Sequence, residues 1–230
     1  MTTASANEMS DALRLVWPQW QGATAANAAA HVPEVSPERA RRGYAVGALV
    51  LEAVLPPHAG PTVVVDVPAT DPAEDPAEDP AASTVAGIES RSAVISSLKS
   101  ALAVLAEQSP ARVLTLGGEC SVSVAPFAYL QQQYGDDFAF VWIDAHPDTD
   151  TADTEYDGYH AMAVSTLLGH GDPEITGLLP ATVPASRVAY AGMHDGEPDA
   201  LALGRIFGPR RCRFRLVEWP LQTNPNLPAR

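Results

Sequence analysis

Two continuous apolar segments constrain the fold of this 230-residue chain more than any other feature. Residues 62–66 read Thr-Val-Val-Val-Asp, and residues 138–143 read Phe-Ala-Phe-Val-Trp-Ile. Runs of this kind, without polar alternation, predict strands that are buried on both faces of a parallel sheet. Shorter segments rich in β-branched and aromatic residues predict further strands at residues 13–17, 112–116 and 187–191.

Segments with helical periodicity lie between these strands. Ser36, Pro37 and Glu38 form a helix start, with a hydroxyl cap, a proline at the first helical position and an acid near the positive end of the helix dipole. Helices are also predicted over residues 121–133 and 160–168. Strands that alternate with helices predict an α/β fold with a mainly parallel sheet, whose ligands bind beyond the carboxyl ends of the strands. Two predicted helical core faces consist of Tyr44, Ala48, Leu51 and Leu55, and of Ile88, Ile95, Leu98, Leu102 and Leu105.

The charge of the chain narrows the range of partners. With 14 basic and 28 acidic side chains, the net charge of -14 disfavours nucleic acid and an anionic membrane surface, and it suits metal cations or small cationic molecules. Residues 1–204 hold 8 basic and 27 acidic residues (-19), whereas residues 205–230 hold 6 and 1 (+5). We therefore predict a single domain over residues 1–204 and a basic, irregular tail over residues 205–230. Within the domain, residues 68–82 repeat Ala-Glu-Asp-Pro and predict an acidic, proline-rich surface loop.

The cysteines and the N-terminus bear on the cellular compartment. Cys120 and Cys212 are too few for a disulfide framework, and their separation fits neither a redox pair nor a zinc knuckle. Residues 1–10 lack the basic and apolar regions of a signal peptide, and the longest dense apolar stretch, residues 45–55, is too short to span a membrane. These features predict a cytoplasmic protein without membrane contact.

Polar residues collect at three places where the chain reaches the predicted carboxyl edge of the sheet. Residues 117–121 read Gly-Gly-Glu-Cys-Ser, residues 144–150 read Asp-Ala-His-Pro-Asp-Thr-Asp, and residues 158–162 read Gly-Tyr-His-Ala-Met. So many ionisable groups at the rim of a buried strand indicate a functional site rather than a neutral strand end.

The second of these segments has the spacing of metal ligands. Residues two apart point to the same side of an extended backbone, so Asp144, His146 and Asp148 are expected to converge on one point. Carboxylates with one imidazole suit a divalent cation such as Mn²⁺ or Zn²⁺.

In order and spacing, the three segments resemble the arginase and agmatinase (ureohydrolase) family over about residues 112–195. Members of that family carry Gly-Gly-Asp-His-Ser after one strand, Asp-Ala-His-x-Asp after the next, and then a Gly-x-x-His-Gly-Met-like segment. The resemblance implies a three-layer α/β/α sandwich with two Mn²⁺ ions. It also implies a bridging hydroxide that attacks the guanidinium carbon of a small cationic guanidine or amidine and releases urea.

The resemblance also assigns roles to individual residues. It implies that Asp144 bridges both ions, that His146 binds one of them and that Asp148 binds the other. His160 matches the family histidine proposed as a proton shuttle or an electrostatic stabiliser. Without the resemblance, the same residues would be interpreted as a capped strand end and a surface histidine.

Three departures from the family pattern modify this expectation. Cys120 stands where the family has a metal-binding histidine. As a ligand, its thiolate suits Zn²⁺ or Fe²⁺ better than Mn²⁺. If Cys120 is not a ligand, it is either a small buried residue or a nucleophile paired with a histidine. Asp150 stands where arginases place an asparagine that helps bind the substrate's carboxylate, which favours an agmatine-like cation. No Ser-x-Asp-x-Asp follows Asp195, so one ion rather than two is expected.

These departures leave two hypotheses. In the first, the chain is a C-terminally truncated ureohydrolase homologue that lacks its last strands and hydrolyses a linear C–N bond with weak activity. In the second, it is a non-catalytic relative that acts as a binding or structural subunit. A parallel sheet that ends early exposes backbone donors and apolar faces, which predicts assembly into a homo-oligomer.

Overall fold

The computed structural model describes residues 12–69 and 84–193. Most of the predicted acidic loop over residues 68–82, and all of the predicted tail over residues 205–230, lie outside the described residues. The domain boundary at residue 204 and the expectation of missing last strands concern the same undescribed part of the chain and remain predictions. The described elements, in chain order, are β1 (Ala12–Trp17), α1 (Ala25–His31), α2 (Pro37–Val54), β2 (Thr62–Val64), β3 (Thr84–Val85), β4 (Ile88–Glu89), α3 (Arg91–Gln108), β5 (Arg112–Gly117), α4 (Val124–Tyr134), β6 (Phe140–Ile143), α5 (Ala163–Leu167), α6 (Pro173–Leu178) and β7 (Val188–Ala191).

The main strands are parallel. Strand β1 pairs in parallel with β2 on one side and with β5 on the other, and β6 pairs in parallel with β7. Only the short β3–β4 pair is antiparallel among the described strands. The predicted α/β fold with a mainly parallel sheet is confirmed.

Helices cover both faces of the sheet at β1. Leu13, Leu15 and Trp17 belong to the core cluster formed with α3 and α4, and the Trp17 indole donates a hydrogen bond to Ser97 Oγ at 2.6 Å. Because neighbouring residues of a strand point to opposite faces, Arg14 lies on the other side, where it donates to the Pro56 carbonyl just after α2. The described residues therefore form three layers, with helices on either side of the sheet.

The prediction that both continuous apolar runs are buried on two faces is wrong. In β6, Phe140 and Trp142 are 6% exposed, but Val141 and Ile143 are 57% and 80% exposed. The first face is covered because Phe127 of α4 packs on Phe140, with ring centroids 5.0 Å apart. The other face has no comparable cover from the described residues. Strand β2 shows the same one-sided burial as an edge strand, since its middle residue is half-buried and its outer two are exposed.

The helix predictions are confirmed in position but not in every residue. Helix α2 begins at Pro37, yet on its predicted core face only Ala48 is buried, and Leu51 is 42% exposed. Ile88 is buried in β4 rather than in a helix, because α3 begins only after the left-handed backbone of Ser90. The segments preceding α4 and α5 are short 3₁₀ turns, at Cys120–Ser123 and Tyr159–Met162. None of the helices in the described part of the chain combines the length and apolar content needed to cross a bilayer.

Candidate active site

A cavity of about 550 Å³ opens beside the segments that follow β5 and β6. Each of the three polar segments identified in the sequence contributes to its wall. Four side chains from outside these segments, Asn27, His31, Tyr44 and Tyr156, complete the lining, although the sequence pattern predicts Tyr44 on a helical core face. The lining residues that contribute to the site are Asn27, Glu119, Cys120, His146, Asp148, Asp150, Tyr156 and His160.

Three side chains of the kinds that bind metal ions meet at one end of this cavity. Cys120 Sγ, a carboxylate oxygen of Asp144 and a carboxylate oxygen of Asp148 all lie within 4.8 Å of one another. The Cys120 sulfur lies 3.7 Å from Asp144 Oδ2, to which it donates a weak hydrogen bond. Asp148 is only 5% exposed, and its Oδ2 is buried without a hydrogen-bond partner among the described residues. Burial, and next the charge of Asp144, raise the pKa of Asp148 to about 7.

This donor set fits one divalent cation. A buried carboxylate oxygen that lacks a donor is costly unless a cation or a proton compensates it. A bound cation would neutralise the repulsion between Asp144 and Asp148 and would supply the missing partner of Asp148. The two ions implied by the resemblance would need additional ligands, which this cluster does not contain.

The backbone after β6 explains which predicted ligands converge. Asp144 Oδ1 accepts a hydrogen bond from the His146 amide at 2.9 Å, so the chain turns instead of staying extended. His146 consequently points outward with a side chain that is 61% exposed, and its Nδ1 lies 3.7 Å from Asp144 Oδ1. Asp148 adopts a left-handed conformation (φ 47°), and its carbonyl accepts from the Val164 amide at the start of α5. The structure therefore brings Asp144 and Asp148 together with Cys120 and leaves His146 at the edge.

Glu119 supports the cluster from below, a role that the sequence did not assign. Its buried carboxylate accepts hydrogen bonds from Gln19 Nε2, Ser121 N and Ser121 Oγ, each at 2.8 Å. Burial raises the pKa of Glu119, while these donors and the charge of Arg41 oppose the rise. The carboxylate packs so closely against Gly22 that a Cβ there would lie 2.3 Å from Glu119 Oε1. The network joins the segments after β1 and β5 and fixes the backbone next to Cys120.

The thiol of Cys120 is free and half-buried. Burial first, and then the carboxylates of Asp148, Glu119 and Asp144, raise its pKa above the ordinary value. Its hydrogen bond goes to a carboxylate and not to a histidine, which gives no support to the alternative of a cysteine nucleophile activated by His146 or His160.

His160 lies in the cavity wall and is held by Tyr156. The His160 amide donates to the Gly22 carbonyl at 3.0 Å, and its Nε2 lies 2.7 Å from the Tyr156 hydroxyl. That hydroxyl oxygen already accepts from the Thr24 amide and from Asn27 Nδ2, so its own hydrogen is directed to His160 Nε2. We therefore assign His160 the tautomer with its hydrogen on Nδ1.

His160 is uncharged at neutral pH in this environment. Burial, and next the charge of His146, lower its pKa to about 4, although Asp144 opposes the shift. No signal in the sequence indicated the supporting tyrosine, because Tyr156 lies in an irregular segment where a spacing of four residues predicts no contact.

Asp150 lies in the cavity wall. Its amide donates to the Ala161 carbonyl at 2.9 Å, which ties the loop after β6 to the turn before α5. Burial raises the pKa of its carboxyl group, and the nearby His146 opposes the rise.

The chain is similar to known proteins of one family. The sequence profile of the arginase family matches residues 58–217, which is more than half of the chain. The chain belongs to the arginase family. The matched range passes the predicted boundary at residue 204 and includes the first part of the basic tail.

Individual arginases show the same relationship. The chain is 32% identical to the arginase of Eremothecium gossypii over 99 residues, which is 41% of this chain and 25% of that protein. It is 36% identical to the arginase of Bacillus caldovelox over 64 residues, which is 27% of this chain and 21% of that protein. These alignments thus span about a quarter of the length of the curated relatives.

Solved arginase structures share the fold. The structure of Bacillus caldovelox arginase superposes with a TM-score of 0.58 at 17% identity, covering 87% of this chain and 63% of that one. The Entamoeba histolytica arginase, solved in complex with L-ornithine, gives a TM-score of 0.55 at 17% identity, with coverage of 85% and 60%. The predicted arginase-like α/β fold is therefore confirmed for the part of the family fold that the chain covers.

Proposed function

We propose that this chain is a metal-dependent hydrolase of a linear C–N bond in a small cationic guanidine or amidine, and that it releases urea from a guanidine substrate. The observation that carries the proposal is the cluster of Cys120, Asp144 and Asp148 in the cavity, with a buried carboxylate oxygen that lacks a donor. Membership of the arginase family supports the reaction class. The cytosol is the compartment that we propose for it.

Asp144 and Asp148, with Cys120, are the residues that would hold the cation. Manganese is the family's metal, and Zn²⁺ is the alternative that the sulfur ligand introduces. When bound, a divalent cation lowers the pKa of water and stabilises developing negative charge. The left-handed backbone of Asp148 and the network of Glu119 hold the ligands in place before any cation arrives.

The cavity wall favours a cationic substrate. Asp150 adds a carboxylate close to the ligand cluster, and Glu119 adds a second behind it. A substrate with its own carboxylate would meet repulsion there, whereas a guanidinium or amidinium group would be attracted. We therefore propose an agmatine-like compound, without a carboxylate, in preference to arginine.

His160 serves as a proton acceptor in this proposal. It is neutral near pH 7 because burial lowers its pKa to about 4. Tyr156 donates to its Nε2 and so orients the ring, and Tyr156 itself lines the cavity. Transfer of a proton from the reacting water to Nε2 therefore requires the hydrogen bond from Tyr156 to open first, because that bond occupies the one acceptor nitrogen of the neutral ring.

The test is an assay of urea release from agmatine and from arginine, with Mn²⁺ or Zn²⁺ added. We expect the full-length chain to hydrolyse agmatine faster than arginine and the Asp148→Asn variant to be inactive. The matched control is Asp137→Asn, which changes an exposed aspartate outside the cavity and should retain activity. Equal activity of Asp148→Asn and the unmodified chain would overturn the proposal.

Absence of urea release from a metal-loaded, folded chain would favour the alternative of a non-catalytic family member that acts through binding or assembly.

A further inference from the structure

We infer that Cys120, Asp144 and Asp148 form a mixed thiolate–carboxylate centre that selects a sulfur-accepting cation such as Zn²⁺ over Mn²⁺. The inference rests on the proposed metal site but not on its hydrolytic activity. It concerns the identity of the metal, which Cys120 changes because a sulfur replaces the imidazole nitrogen of the family pattern.

The distances within the cluster fit a single ion. Zinc binds thiolate sulfur at about 2.3 Å and carboxylate oxygen at about 2.1 Å, so a tetrahedral ion would separate the two donors by roughly 3.6 Å. Cys120 Sγ and Asp144 Oδ2 are 3.7 Å apart, and a carboxylate oxygen of Asp148 lies within 4.8 Å of both. The three atoms can therefore surround one ion with only small side-chain adjustments.

The state of Asp148 points independently to a ligand. This side chain is 95% buried, and its Oδ2 has no donor within the part of the chain that the structure describes. The neighbouring groups that face it are Asp144, Cys120, Glu119 and Asp150, none of which brings a positive charge. A cation bound between Asp148 and Cys120 accounts for this otherwise uncompensated buried oxygen.

The donor set determines the preference among cations. Thiolate sulfur is a soft ligand that favours Zn²⁺ and comparable ions, whereas Mn²⁺ favours sites made of carboxylates, carbonyls and water. The sulfur loses its proton to solvent when it binds the ion, so binding releases one proton from the thiol. Cys120 and Asp148 both line the cavity, so water or substrate there could complete the coordination of a bound ion.

The experiment uses Co²⁺ as a spectroscopic substitute for Zn²⁺, with the full-length chain. The chain has two cysteines, so the Cys212→Ser variant leaves Cys120 as the sole thiol. We expect this variant to bind one equivalent of Co²⁺ with a near-ultraviolet thiolate-to-cobalt charge-transfer band. One equivalent of Zn²⁺ should remove the band, whereas a hundredfold excess of Mn²⁺ should leave it.

Removal of the sulfur provides the matched comparison. Cys120→Ser in the Cys212→Ser background should lose the band and at least tenfold in Zn²⁺ affinity, while Cys120→His should lose the band and bind Mn²⁺ more tightly. Circular dichroism and thermal melting confirm that each variant is folded. A band that survives Cys120→Ser, or that a small excess of Mn²⁺ abolishes, would overturn the inference.

The outcomes separate this inference from the proposed hydrolase. A charge-transfer band without urea release under any metal would support the thiolate centre and contradict the hydrolytic function. Urea release with Mn²⁺ from a chain that shows no thiolate band would support the hydrolytic function and contradict the thiolate centre.

Discussion

The floor and the rim of the cavity come from the same short motifs but differ in how firmly they are held. The floor consists of Glu119, Cys120 and Asp148; its two acids are 8% and 5% exposed and have fixed backbone or hydrogen-bonded positions. The rim is represented by His146, whose side chain is 61% exposed. The family pattern would place metal ligands in both the floor and the rim, but only the floor contains side chains that converge as metal ligands do.

The difference shows that the floor, and not the rim, is preorganised to bind a cation. Buried like charges on the floor destabilise the metal-free chain, and a bound cation removes that cost. An exposed imidazole carries no such cost and gains little from binding. Substitutions on the floor should therefore have large effects on metal affinity and on stability, and substitutions at the rim small ones.

The largest expected effect is on metal affinity. Asp148→Asn removes a buried ligand charge and should weaken Zn²⁺ binding by more than about 100-fold, since even residues that only support ligands typically contribute about 10–100-fold. Isothermal titration calorimetry of this variant and of the exposed control Asp137→Asn measures the change. If the two variants bind Zn²⁺ equally, the floor is not the metal site.

A second effect should appear in the pH dependence of stability. The pKa of Asp148 is about 7 in the folded chain, above the value of about 3.9 in an unfolded one, because of burial first and then Asp144. The folded state therefore holds a proton that the unfolded state releases, so stability falls as pH rises from about 4 to about 7 and then levels off. With metal chelated, the unfolding free energy should fall by about 4 kcal/mol more in the unmodified chain than in Asp148→Asn. Parallel pH profiles for the two proteins would contradict the burial of this charge.

The hydrogen-bond network of Glu119, within the floor, should also be sensitive to substitution. Glu119→Gln keeps the shape of the side chain but replaces one acceptor oxygen with an amide donor. That donor would face Gln19 and Ser121, which already present donors to this position. We expect a loss of about 1.5 kcal/mol in the free energy of unfolding, because a buried donor is left without an acceptor. Urea denaturation measures it, and a more stable variant would show that the network is not built around a carboxylate.

The smallest effect is expected at the rim. His146→Ala should reduce Zn²⁺ affinity by less than about threefold, since the exposed ring is not one of the converging ligands. The same titration detects the change. A loss of tenfold or more would show that His146 rotates inward to bind the ion and would erase the distinction between floor and rim.

Much of the fold followed from local patterns in the sequence. The apolar runs located β2 and β6, and the serine and proline at residues 36 and 37 located the start of α2, although the Ser36 side chain makes no capping hydrogen bond. Exposure was harder to predict, because Val141 and Ile143 are apolar whether or not a helix covers their face of the sheet. Burial on both faces depends on distant segments, which a local run cannot report.

The candidate site was predictable in composition but not in detail. Spacing predicted that Asp144 and Asp148 meet, and the structure agrees. Spacing also placed His146 with them, but the hydrogen bond from its amide to Asp144 turns the chain and redirects the ring. The role of Glu119 depends on Gly22, almost a hundred residues away, so no local pattern could reveal it.

X-ray absorption at the zinc edge of the zinc-loaded, full-length Cys212→Ser variant tests the metal centre most directly. The structure predicts one sulfur neighbour at about 2.3 Å and otherwise only oxygen or nitrogen neighbours at about 2.0–2.2 Å. A spectrum that contains only oxygen and nitrogen neighbours would contradict a centre built on Cys120, Asp144 and Asp148.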